Sequence, residues 1–124
     1  MKRCLGLSFL VLASSALSFV AHGHSTLEAA TPKNGSVLTQ SPASIEVKFK
    51  DAVQLTSVML VLPDGTKRKL TFTPATSAQQ FSIAAPELAN GRNELQWKAL
   101  SRDGHVLSGS LAYVVKPPVA NAGQ

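Results

Sequence analysis

Apolar and polar residues alternate with a period of two along much of this chain, and turn signals cut each alternating stretch short. In "SIEVKFK", Ile45, Val47 and Phe49 fall on one side and Glu46, Lys48 and Lys50 on the other, which predicts a half-buried strand. "SVMLVL" (Ser57 to Leu62) is a continuous apolar run of strand length. "PDGT" (Pro63 to Thr66) then turns it into "KRKLTF", ending at Phe72. "QQFSIAAP" (Gln79 to Pro86) and "NELQWKAL" (Asn93 to Leu100) predict two more strands separated by an Asn90-Gly91 turn. In the second, Leu95, Trp97 and Ala99 share one face while Glu94, Gln96 and Lys98 share the other. "HVLSGSLAYVV" (His105 to Val115) closes the set, and "TPKNGSVLTQSP" (Thr31 to Pro42) reads as a loop.

No long amphipathic helical pattern lies between these segments. About seven short strands, with turns every eight to twelve residues or so, predict an all-β fold: a Greek-key antiparallel barrel or sandwich, immunoglobulin-like or cupredoxin-like. At 124 residues there is room for a single domain. It is expected over residues 24–116, followed by an unpatterned, disordered tail over 117–124.

The first residues stand apart from the alternation. "MKRCLGLSFLVLASSALSFVAHG" places Lys2 and Arg3 before an apolar run from Leu5 to Val20 and ends in Ala21-His22-Gly23, a small-x-small cleavage signal. The run is too short and too rich in Ser and Ala for a membrane span, so residues 1–23 read as a secretory signal peptide that export removes. Cleavage after Ala21 would put bulky Phe19 three residues before the cut. Cleavage after Gly23 avoids that and makes His24 the new N-terminus.

Processing also changes the composition. The lone cysteine, Cys4, leaves with the signal, so the exported domain holds together by its core with no disulfide. Loss of Lys2 and Arg3 takes the formal charge from +5 to +3. The remaining basic residues, such as Lys48, Lys50, Lys67, Arg68, Lys69 and Lys98, are scattered along strands without interleaved stacking residues. That argues against nucleic-acid binding and for solvated strand faces.

Candidate chemistry is concentrated in "SRDGHVLS". Asp103-Gly104 is ordinary hairpin-turn chemistry, yet His105 follows at once in a chain with only three histidines. The other two, His22 and His24, lie at the cleavage site. A Ser-His-Asp set could be drawn with Ser101 or Ser108, but there is no nucleophile-elbow sequence to support it. Nor does any Gly-rich phosphate loop occur.

Metal binding uses the unusual features together. A His24 freed by cleavage offers its α-amine and its ring Nδ1, closing a chelate, while His105 offers an imidazole and Asp103 a carboxylate. The amine sheds its proton near neutral pH when a metal competes for it. Three nitrogens and an oxygen in a plane suit Cu(II), one ion per chain, whereas zinc favours a tetrahedral set and often thiolates.

"HSTLEAATPKNGSVLTQSPASIEVKF" resembles the opening of the CopC family of periplasmic copper-resistance proteins: an N-terminal His, a short strand, "TP…G", then "P…I.V.F". "LQWKALSRDGHVLSGSLAYVV" is similar to that family's "W…S.DGH…G…F.V" segment, so the resemblance runs from His24 to Val115. It implies a Greek-key barrel binding one Cu(II) through His24, His105 and, as a weaker or axial oxygen, Asp103. It also implies that Asp51, in "KFKDAV", lies close to the copper as an outer-shell or alternative ligand. Some family members bind Cu(I) through a methionine-rich segment. Here the exported chain holds only Met59, in an apolar run that reads as core, so a Cu(I) site is not expected.

The function expected is that of a periplasmic copper carrier or buffer, soluble after cleavage. It would hand its ion to a copper-transporting inner-membrane protein or another cuproprotein. One alternative is an oxidative enzyme, since an N-terminal His chelate with a second His resembles the histidine brace of the polysaccharide monooxygenases. Against it, the exported chain has few aromatics, Phe49, Phe72, Phe81, Trp97 and Tyr113, all in strand-like segments and mostly readable as core. The other alternative is an immunoglobulin-like accessory domain whose DGH is only a turn.

Overall fold

The computed structural model describes residues 27–119. The expected signal peptide, His24 and the end of the expected tail lie outside the described residues. Seven strands follow in order: β1 (Leu27–Thr31), β2 (Val37–Leu38), β3 (Ser44–Val61), β4 (Lys67–Lys69), β5 (Ala78–Ala84), β6 (Gly91–Leu100) and β7 (Val106–Val115). The fold is all-β, a curled sheet closing on a single core, as the alternation predicts. Among the described residues no helix is long and apolar enough to cross a membrane.

The strand β3 organises the molecule. The sequence reads as two strands here, but the chain runs unbroken through 18 residues and serves two layers. Its first half pairs with β1 and β5, and its second half pairs with β4 and β6. From β6 the sheet continues through β7 to a short parallel contact with β2.

A bulge explains the mistaken division. Leu55 pairs with Ala99 but Ser57 pairs with Lys98, leaving Thr56 as an extra residue. Thr56 Oγ1 donates to the Lys98 carbonyl at 3.1 Å. One extra residue flips the inward parity, from Ile45, Val47, Phe49, Val53 and Leu55 on odd positions to Val58 and Leu60 on even ones. In the sequence that phase change looks like a break.

The two layers meet in an aromatic and aliphatic core. Phe49 stands edge-on to Trp97 at 5.1 Å and to Phe81 at 5.9 Å, and Phe72 abuts Phe81 at 6.2 Å. Tyr113 and Asn93 are fully buried with their polar atoms satisfied. The Tyr113 hydroxyl donates to the Pro32 carbonyl at 2.6 Å. The Asn93 amide donates to the carbonyls of Ala89 and Gly91 and accepts from the Ala89 N–H. Met59 departs from expectation. It lies between inward-facing Val58 and Leu60, half-buried on the outer side beside Ser57 and Gln96, outside the core.

Candidate metal centre

The β6–β7 hairpin ends in the Leu100–Val106 pair, and residues 101–105 form the loop beyond it. Gly104 N–H donates to the Ser101 carbonyl at 3.0 Å and Ser101 N–H donates to the His105 carbonyl at 2.9 Å, so the backbone closes on itself. Gly104 sits at φ +86°, a left-handed conformation costly for any residue with a Cβ. The Asp-Gly step is therefore the turn that the sequence predicts, and it sets Asp103 and His105 on either side of that glycine.

The two side chains meet. His105 Nδ1 lies 2.8 Å from Asp103 Oδ2, and the other carboxylate oxygen, Oδ1, accepts a hydrogen bond from Ser101 Oγ. With Nδ1 turned to the carboxylate, Nε2 is the nitrogen left for a ligand. Both side chains are open to solvent, 78% exposed for His105 and 67% for Asp103, so a ligand can reach them without displacing the core. The Ser101 hydrogen bond is the largest influence holding the Asp103 carboxyl below its ordinary pKa; slight desolvation opposes it and the adjacent His105 adds to it.

Hydrolytic chemistry does not fit this geometry. A nucleophilic serine needs its hydroxyl on the imidazole, but Ser101 Oγ gives its proton to Asp103, and Asp103 stands between it and the ring. Ser108 lies in β7, paired with Lys98, on the outer face of the sheet.

Asp51 joins the loop from a distant part of the sequence. Asp51, Ala52, Val53 and Gln79 line one cleft together with Ser101, Asp103 and His105. Strict alternation would send Asp51 inward with Phe49 and Val53. Here β3 passes from one layer to the other, and pairing with β5 is interrupted between Lys48 and Val53. The carboxylate opens into the cleft instead, exposed. Gln79 anchors the same wall by donating from Nε2 to the Lys50 carbonyl at 3.0 Å.

Among the described residues no three His, Cys, Asp or Glu side chains converge closely enough to hold a metal. Asp103 and His105 form a pair, and Asp51 shares their cleft. At this end of the sheet β1 begins, with Leu27 opposite Phe49, two residues along β3 from Asp51. His24 lies outside the described residues. The sequence offers Ser101 only as a candidate nucleophile, not as the hydroxyl that bonds Asp103, and gives no sign of Gln79 as a wall of the cleft. A carboxylate at an inward-parity position was the available sign of Asp51.

Comparison with known proteins follows the same lines. Residues 27–116 match the CopC domain. The chain is 26% identical over 124 residues to Copper resistance protein C of Xanthomonas campestris pv. juglandis, covering 92% of this chain and 97% of that one. It is 29% identical over 122 residues to Copper resistance protein C of Pseudomonas syringae pv. tomato, covering 88% and 95%. Among solved structures, the crystal structure of CopC from Methylosinus trichosporium OB3b aligns with a TM-score of 0.64 at 26% identity, over 76% of this chain and 95% of that one.

Proposed function

The chain belongs to the CopC family, and on that premise we propose that it is an exported periplasmic Cu(II)-binding protein, a carrier or buffer in copper resistance or homeostasis. The observation that carries the reading is the Asp103–His105 pair, with Asp51 lining the same cleft, at the end of the sheet where β1 begins. Two relatives of similar length named Copper resistance protein C support it.

Removal of residues 1–23 frees the amine of His24, which then supplies α-amine and Nδ1 to a single Cu(II). His24 stands three residues before Leu27, a reach of about 10 Å in extended chain. His105 supplies Nε2, because Nδ1 is engaged by Asp103. The Asp103 carboxylate orients that imidazole from its Nδ1 side. Asp51 adds negative charge to the same cleft, which offsets the charge of the ion.

The mechanism is binding and release, with a copper-transporting membrane protein or another cuproprotein as the receiver. Protons compete for both imidazoles and the amine, so acid weakens the site. The rival reading, a copper oxidase, requires an exposed substrate face. Phe49, Phe81, Trp97 and Tyr113 are buried and Phe72 packs against the core, which favours a carrier.

The test is Cu(II) titration of the exported protein against His105→Ala. One equivalent bound by the wild type, and weakening by at least about a hundredfold in the variant, is expected, beyond the usual cost of outer-shell changes. Equal affinity in the variant, or no specific binding by either, overturns the reading. Reductant-driven oxidation of a polysaccharide would favour the enzyme.

A further inference from the structure

Ser101 is bonded to the 101–105 loop through both its backbone and its side chain. Two of its bonds are made by the backbone: its N–H to the His105 carbonyl at 2.9 Å and its carbonyl from Gly104 N–H at 3.0 Å. Any residue but proline can make those two at this position. The hydroxyl does something separate. Ser101 Oγ accepts from His105 N–H at 3.1 Å and donates its one proton to Asp103 Oδ1. Asp103 Oδ2 in turn receives His105 Nδ1 at 2.8 Å.

A carboxylate 67% exposed to water has no packing to fix its rotamer. Among the described residues, the Ser101 hydroxyl is the one side-chain group besides His105 that bonds it. We infer that Ser101 is a positioning residue for the metal site: its hydroxyl clamps Asp103 so that the carboxylate holds His105 as the Nδ1–H tautomer, with Nε2 directed to the incoming ion. This rests on the Cu(II) reading above. A donor already in its ligating tautomer spares the ion the cost of ordering the loop, so the clamp raises affinity without touching copper.

The experiment compares wild type, Ser101→Ala and Ser101→Thr, each purified from the periplasm as the exported protein. Long-range proton–nitrogen correlation NMR of the metal-free form reads the His105 tautomer directly. Cu(II) competition titration then reads affinity. The wild type is expected to show the Nδ1–H tautomer and to bind one Cu(II). Ser101→Ala should show mixed tautomers and about tenfold weaker binding, the low end for an outer-shell partner. Ser101→Thr, which keeps the hydroxyl, should restore both. An alanine variant with the wild-type tautomer and affinity overturns the role of Ser101 while copper binding stands. A wild type that binds no Cu(II) overturns the copper reading and the proposal together.

Discussion

Gly109 faces Trp97 across the β6–β7 ladder, and a Cβ at position 109 would stand 2.6 Å from the indole Cζ2 and 2.9 Å from its Nε1. The indole edge lies where a side chain would be. Because Trp97 is buried and edge-on to Phe49, it has no free end to move aside. Gly109→Ala is expected to destabilise the fold by about 1–3 kcal/mol, the usual cost of overpacking a filled core. Urea denaturation monitored by the single tryptophan checks it.

Tyr113 is the only tyrosine in the chain. Its burial pushes the phenol up to about 12. With the folded value raised, its contribution to stability is present below the ordinary value of 10 and is lost as pH rises through about 12. Ultraviolet titration should therefore show no tyrosinate until the alkaline limit, and none of the ordinary transition near 10. Tyr113→Phe should remove the bond to the Pro32 carbonyl and cost about 1 kcal/mol.

The Asp103 carboxyl carries the opposite sign. Its pKa is depressed below 3.8, chiefly by the Ser101 hydroxyl, so loop order is present above that value and is lost as pH falls through the lower folded value. NMR titration of the metal-free protein should place its midpoint below 3.8. Ser101→Ala should move it upward. Global stability should barely respond, since the group is solvent-exposed and the loop lies outside the core.

Period-two patterning made most of the strands legible, because one face of each is buried against a single core. It divided β3 wrongly for a physical reason: the bulge at Thr56 switches the inward parity, and a phase change in a sequence cannot be told from a break. Met59 reads as core in the sequence because it sits in an all-apolar run, where alternation gives no sign of which residues face out. The turn at Gly104 and the pairing of Asp103 with His105 are local and follow from adjacent residues. Asp51 and Gln79 reach the same cleft through strand pairings dozens of residues apart, which spacing does not encode. Family resemblance supplied Asp51; nothing in the sequence singled out Gln79.

The central claim is that cleavage after Gly23 turns His24 into a chelate facing His105. It is tested most directly by Cu(II) titration, followed by electron paramagnetic resonance, of two forms of the exported chain. One begins at His24 and the other carries a single extra residue before it. Tight one-to-one binding with a nitrogen-rich tetragonal spectrum is expected for the first form, lost or much weakened in the second, whose His24 nitrogen is an amide. Equal binding and identical spectra from both forms would contradict it.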